Sequence, residues 1–270
     1  MIKQRSFLKW PGNKYHCLEN LLPLIPATDR LIEPFAGSAA IFMNTNYANY
    51  IIAEKNQDLI SLFSHLQSEG QKFISSCEEF FVTTNNDREK YMSLREKFNC
   101  STCPRQRAMI FLYLNRHGYN GLCRYNSKGI YNVPFGLYKK PYFPKKEMNI
   151  FHEKSKDIQI IYGDFADTFA LAMPGDVIYC DPPYSPKTEQ SNFTAYTRQS
   201  FGIPEQLKLV KLAQDAANKK TTVIISNHDT PETREYYKNA QIHSFGVKRF
   251  ISCRAEKRIP AKELVAIFAP

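Results

Sequence analysis

The 270-residue sequence has no uninterrupted apolar run approaching the roughly 20 residues needed to cross a bilayer. Its first residues, MIKQRSFLKW, carry charge but no apolar stretch of signal-peptide length. The seven cysteines (Cys17, Cys77, Cys100, Cys103, Cys123, Cys180, Cys253) form an odd, scattered set in a chain too long to need stapling. That argues against a disulfide framework and fits a reducing compartment. Cys100 and Cys103 make one CxxC, but no second Cys/His pair stands at matching spacing, so no metal site is expected. Internal repeats and low-complexity tracts are missing. So is GxGxxG, which disfavours a nicotinamide dinucleotide. The expectation is a soluble, cytoplasmic protein with no membrane partner.

One further absence points to a partner. Between Arg105 and Lys146 there is no Asp or Glu, yet there are nine Lys/Arg residues, nearly all of the net charge of +10. Nine Phe/Tyr residues interleave with them, and Asn120, Asn126 and Asn132 recur at intervals of six. Cations neutralise phosphates, Arg and Asn can read base edges bidentately, and aromatic or amide groups can fill the gap left by an extruded base. The plainer alternative is a solvated loop packed by its own rings. The lack of acids weighs against it.

Alternating strands and helices predict an α/β sheet. RLIEPF (30–35) and YIIAE (50–54) read as buried strands, joined by a helix-like GSAAIFMNTN. IQIIYGD (158–164), DVIYCD (176–181), TTVIISN (221–227), SFGVKRFI (244–251) and ELVAIF (263–268) read as further strands. Residues 204–220 and 231–240 read as helices, each with Pro in its first turn. Residues 56–145 break the alternation with four helical stretches and then a Gly-, Asn-, Pro- and Tyr-rich loop or hairpin, before a short helix at 145–156 leads back to the sheet.

Two stretches carry chemistry. In EPFAGSAAIF, Gly37 and the small residues after it let the backbone approach a ligand, and Glu54 ends the next strand, placed to accept hydrogen bonds from ribose hydroxyls. In CDPPYSP, Asp181 follows an apolar strand. Pro182 and Pro183 donate no N–H but keep stiffly aimed carbonyls, and Tyr184 adds a flat ring. An acceptor side chain, an aimed carbonyl and a stacking ring suit the exocyclic amine of a nucleobase.

With EPFAGSA, this DPPY motif resembles the DNA adenine-N6 methyltransferases. FLKWPGNKY (7–15), residues 114–144, NFTAY (192–196) and ISNHD (225–229) extend the likeness, in order, to the Dam methylases that act on GATC. The resemblance implies a Rossmann-like S-adenosylmethionine-dependent methyltransferase fold with an inserted helical target-recognition domain. Residues 1–55 and 146–270 would be catalytic, and 56–145 would bind DNA. It also implies that Trp10, Lys14, Phe35, Gly37, Glu54, Asp164, Phe165 and Asp181 bind S-adenosylmethionine, and that Asp181, Pro182, Pro183 and Tyr184 are catalytic. Lys9, Tyr119, Asn120, Arg124 and Tyr138 would face double-stranded DNA, and Lys139 and Lys140 are expected on its phosphates. A monomer is expected. Ala39 and Asn13 stand where the family usually has Gly, and Glu54 where Asp is commoner.

The function expected is therefore methylation of adenine N6 in duplex DNA, most simply within GATC, after the base leaves the stack. His228 is expected to be structural. The competing readings are an RNA or protein-amide N-methyltransferase, and a DNA-binding module with a decayed active site.

Overall fold

The computed structural model describes residues 3–184, 201–247 and 261–270. NFTAY, Cys253 and the end of the sixth expected strand lie outside them. Among the described residues, seven strands form one sheet: β1 (Arg30–Glu33), β2 (Asn49–Glu54), β3 (Gln159–Tyr162), β4 (Val177–Cys180), β5 (Thr222–His228), β6 (Gln241–Val247) and β7 (Ala261–Phe268). Their order is β3-β2-β1-β4-β5-β7-β6. The first five are parallel, and β7 enters antiparallel between β5 and β6.

This order places β1 beside β4. From β1 the chain runs outward to β2 and β3, then returns to pair β4, so the direction of winding reverses between these two strands. Open α/β sheets bind ligands at that crevice, outside the carboxyl ends of the strands. EPFAG follows β1 and DPPY follows β4, so both chemical motifs open at the same crevice.

The helices are α1 (Leu18–Leu21), α2 (Gln57–Glu69), α3 (Gln71–Glu78), α4 (Arg88–Cys100), α5 (Pro104–His117), α6 (Lys145–Ser155), α7 (Phe165–Phe169), α8 (Ile203–Asn218) and α9 (Pro231–Tyr236). Local chemistry sets their ends. The Asn56 side chain accepts from Leu59 N to start α2, Asp87 accepts from Lys90 N to start α4, and Gly70 at φ 50° closes α2. The helix-like GSAAIFMNTN is instead a run of turns ending in one 3-10 turn, Phe42–Asn44. Gly37 and Ala39 both have positive φ (47° and 57°), which an α-helix cannot accommodate.

Period-two alternation divides the core. Leu31, Ile52, Val177, Tyr179, Ile224 and Val265 face one layer, where Phe63 of α2, Phe151 of α6 and the α5 side chains join them. Ile32, Ile178, Cys180, Ile225 and Leu264 face α7, α8 and α9. Phe7 packs edge-on against Phe63 and Phe151, at 5.8 and 5.3 Å between ring centroids, fastening the N-terminal segment to the helical layer. Burial of each such ring is worth on the order of 2–3 kcal/mol. The N-terminal segment is thereby held over the first face of the sheet, close to the crevice.

Candidate functional site

A tight turn delivers the first site residues. Asn13 N donates to Trp10 O across Pro11 and Gly12, and Gly12 takes φ 78°, the pattern of a type II turn. Asn13 then caps the following 3-10 turn by accepting from Tyr15 N. Asn therefore serves here through its side chain, where Gly would supply only backbone freedom. The turn sends Trp10 against Gly37 and Lys14 under the DPPY tip. A Cβ at Gly37 would come within 3.0 Å of Trp10 Nε1, so this side of the loop has room only for hydrogen.

Glu54, at the end of β2, faces the same loop. Its Oε2 accepts from Gly37 N (3.1 Å) and its Oε1 from Lys55 N (2.9 Å). Burial raises its pKa, and these backbone donors oppose the rise. Ala39 holds a left-handed conformation and is fully buried, so its methyl costs roughly 1 kcal/mol of backbone strain that Gly would avoid. Phe35 stacks on Phe165 at 5.4 Å, with Phe201 edge-on to Phe35. Asp164 caps α7 through Ala166 N and pairs with Lys55 at 3.2 Å. A hydrogen-bonding acid, a close-approach loop and an aromatic pair thus line the strand ends of β1, β2 and β3.

At the end of β4, Lys14 Nζ lies 2.8 Å from Asp181 Oδ1 and 2.9 Å from Glu263 Oε1, with both Lys14 and Glu263 nearly buried. The Tyr184 hydroxyl donates to Glu263 and accepts from Lys14, and the Lys14 ammonium also stands 4.6 Å from the Tyr184 ring centroid. Ser226 donates to Asp181 at 3.1 Å. Burial pushes the Asp181 pKa up, and the Lys14 ammonium opposes that rise. The His228 ring meets Tyr184 edge-on at 4.2 Å and its amide bonds Asn227 Oδ1 (2.8 Å), so it supports the ring.

Glu263 was not among the residues expected in the site, although the sequence carries its signal. In ELVAIF, Glu263 is in phase with the inward-facing Val265, and an acid on the buried face of a strand needs a partner. Ser226 was also missed within SNHD. Among the described residues, no group of three or more His, Cys, Asp or Glu side chains could hold a metal ion.

Of the residues expected to face DNA, Lys9, Tyr138 and the turn bearing Tyr119 and Asn120 come together. Lys9 Nζ sits 3.7 Å from the Tyr138 ring centroid and donates to Arg116 O at 3.4 Å. A Cβ on Gly121 would collide with the Lys9 side chain, so the turn carrying Tyr119 and Asn120 lies directly against Lys9. Tyr119 N donates to Pro134 O and Gly136 N to His117 O, which joins that turn to the segment bearing Tyr138. Tyr119 is exposed, and Asn120 takes a left-handed φ of 51°. Lys139 and Lys140 are exposed beyond them.

The residues around Arg124 form a hairpin, with Tyr125 bridged to Tyr131. Tyr125 OH donates to Asp58 (2.7 Å), Asn99 exchanges two bonds with the Tyr131 backbone, and Tyr91 OH donates to Val133 O (3.0 Å), so α2 and α4 brace it. Arg124 Nε donates to Asn132 Oδ1 (2.8 Å) and its NH2 to Asn132 O (3.1 Å). Asn126 accepts from the Lys128 and Ile130 amides. Two of the three evenly spaced Asn residues therefore build the hairpin, and only Asn120 stands apart from it. The charge picture also changes in space. Arg105 pairs with Glu69, Arg107 with Asp58 and Lys145 with Glu78, acids that lie outside the acid-free segment. Local neutralisation thus leaves Lys139 and Lys140 a larger share of the field on this face.

Residues 10–251 match the family model of the D12 class N6 adenine-specific DNA methyltransferases. The chain is 44% identical to the DNA adenine methylase of Escherichia coli K12, over all of this chain and 97% of that protein. It is 43% identical to the DNA adenine methylase of Vibrio cholerae serotype O1, over all of this chain and 98% of the relative. Identity to the DNA adenine methylase of Serratia marcescens is 45%, over 99% of this chain and the whole of that protein.

Proposed function

The chain belongs to the D12 class of N6 adenine-specific DNA methyltransferases, and from that premise we propose that it methylates adenine within GATC, using S-adenosylmethionine and the DPPY tip of β4. It is a site-specific DNA adenine methyltransferase. The cofactor, the target sequence and the residue roles are the proposal. In it, residues 1–55 and 146–270 carry the chemistry, while 56–145 recognise the target. The enzyme works as a cytoplasmic monomer on duplex DNA. No helix among the described residues is long and apolar enough to cross a membrane.

The residues at the crevice fit the cofactor. Glu54 has acceptor capacity for ribose hydroxyls, Phe35 and Phe165 offer an apolar aromatic wall, and Trp10, Gly37 and Asp164 border the same strand ends. S-adenosylmethionine supplies an electrophilic methyl on a sulfonium sulfur. Asp181 accepts one N6–H of the extruded adenine and the Pro182 carbonyl the other, which turns the nitrogen lone pair toward that methyl. Tyr184 packs against the base, and Pro183 stiffens the tip. Transfer of that methyl would leave the bonding pair on sulfur as a neutral thioether and the positive charge on N6, from which the Asp181 carboxylate would accept one proton. Tyr119 and Asn120, on the exposed turn against Lys9, fill the space the base leaves. Lys9, Arg124 and Tyr138 read the site, and Lys139 and Lys140 hold phosphates.

The observation that carries this reading is the placement of Asp181 and Tyr184 at the switch point, with the acid held beside a buried ammonium at 2.8 Å. Its test is methyl transfer from labelled S-adenosylmethionine to duplexes containing GATC, each single-base variant of it, and the matching RNA. Label should enter adenine N6 of the GATC duplex. Transfer to RNA, or equal transfer to every duplex, would refute the proposal.

A further inference from the structure

We propose that Glu263 is a positioning residue for methyl transfer: it shares the Lys14 ammonium with Asp181 and holds the Tyr184 hydroxyl, leaving the pocket one net negative charge. The inference rests on the reading of Asp181 and Tyr184 above and deepens it.

The sheet sets the position of Glu263. In the antiparallel β5–β7 ladder, His228 lies opposite Glu263 and Ser226 opposite Val265. Residues two apart on a strand share a face, so His228, Ser226 and Glu263 all face the layer that Tyr179 faces from β4. Lys14 arrives over that face from the N-terminal turn. Among the described residues, one ammonium between two carboxylates leaves an uncompensated negative charge.

That surplus matters for the chemistry. If Asp181 alone faced Lys14, the pair would be neutral and the ammonium would be drawn wholly onto the carboxylate that must accept the adenine N6–H. Glu263 divides the ammonium's donors and leaves Asp181 lone pairs available. As the amine attacks, a fixed negative charge nearby stabilises the positive charge developing on nitrogen. Glu263 also accepts the Tyr184 hydroxyl proton, which fixes the ring against which the base packs.

The test uses full-length enzyme and Glu263→Gln, which keeps the shape and removes the charge. Among the described residues, Lys14, Glu263, Tyr184 and Ser226 surround Asp181, while Tyr179, Cys17, Cys180, Glu33 and Glu54 act on it through space and His228 packs on Tyr184. Removing the like charge of Glu263 lowers the Asp181 pKa, so the acid limb of the single-turnover rate should move to lower pH. The rate at the plateau should fall roughly ten- to hundredfold, with affinity for a GATC duplex unchanged. Glu263→Asp keeps the charge but shortens the reach. It should retain the wild-type acid limb with a smaller loss of rate, and it decides alone if the Gln variant does not fold, since an undiminished rate in Glu263→Asp would also refute the inference. An unchanged rate in Glu263→Gln, or a slowed rate with an unmoved acid limb, would overturn it. Near-wild-type transfer by Asp181→Ala would instead remove the reading on which it rests.

Discussion

Lys14 Nζ and Asp181 Oδ1 form a 2.8 Å ion pair that joins the N-terminal turn to the tip of β4. Burial alone would lower the Lys14 pKa, but Asp181 and Glu263 outweigh it and raise it, so the ammonium is a permanent feature of the pocket. The pair opposes the rise that burial imposes on the Asp181 pKa, and an ionised carboxylate only accepts hydrogen bonds. Asp181→Ala should slow single-turnover methylation by at least about a hundredfold, while affinity for a GATC duplex stays within about threefold. Rapid-quench transfer and fluorescence anisotropy check the two halves. Near-wild-type turnover would exclude Asp181 from the chemistry.

Much of this site was legible in the sequence because each motif is local. A strand followed by DPPY stops where the prolines remove its donors, and β4 ends at Cys180, immediately before Asp181. What could not be read was the matching of distant partners. The acids that neutralise Arg105, Arg107 and Lys145 come from α2 and α3, so counting charge along the chain overstated the field. The Asn132 side chain lies eight residues from the arginine it holds, and even spacing made it look like a reader. The turn after β1 carried a helical composition, but its two positive φ angles come from tertiary closure onto Glu54 and Trp10.

Glu33 provides a stability prediction. It is 2% exposed at the end of β1, its Oε1 has no partner among the described residues, and burial pushes its pKa up to about 8. The unfolded chain releases this proton near the ordinary carboxylate value, 4.5, while the fold retains it until about 8. Folding stability is therefore lost as pH rises across that interval. Glu33→Gln mimics the neutral acid and should raise stability at pH 8 by roughly 1–3 kcal/mol, with no gain near pH 4.5. Urea unfolding at the two pH values measures the difference. An equal effect at both would mean that the carboxyl does not titrate with folding.

Lys9 should make DNA binding sensitive to mildly alkaline pH. Burial, followed by the nearby Arg116 charge, lowers its pKa to about 8. The charged form is the one that attracts DNA, so affinity should decline as pH rises through about 8. Lys9→Arg, which stays protonated, should flatten the decline. On folding, the sign is opposite: the unfolded chain holds this proton up to 10.5, so Lys9 favours the fold increasingly from about 8 to 10.5. Titration of duplex affinity between pH 7 and pH 9.5 checks the binding half. Parallel curves for the wild type and Lys9→Arg would disprove it.

Lys139 and Lys140 are exposed, and Asn86 grips the backbone beside them by donating to Tyr138 O (2.8 Å) and Lys139 O (3.1 Å). A fixed backbone with two solvated ammonium groups suits phosphate contact. Replacing both with Ala should weaken binding to GATC and random duplexes alike. The slope of log affinity against log salt should flatten by about 2. An unaltered slope would show that neither lysine displaces counterions.

Arg124 separates reading of sequence from general attraction to DNA. Among the described residues, Asn132 engages Nε and NH2, and in the proposed reading the opposite edge of the guanidinium, NH1 with the second NH2 proton, would face a base. Two parallel donors on that edge match O6 and N7 of guanine. The hairpin that carries Arg124 is braced by Asp58, Asn99 and Tyr91, so the fork is aimed before DNA arrives. Arg124→Ala should cost roughly 1–3 kcal/mol of discrimination, about 5- to 150-fold, against duplexes altered at one guanine position of GATC. Affinity for random DNA should fall only modestly. Asn132→Ala leaves the guanidinium in place but unaimed, so it should relax discrimination at the same position by a smaller factor. Methylation rates on GATC and all of its single-base variants test both substitutions together. If Arg124→Ala slows every substrate equally, the arginine binds phosphate, and the Asn132 clamp serves only to stiffen the hairpin.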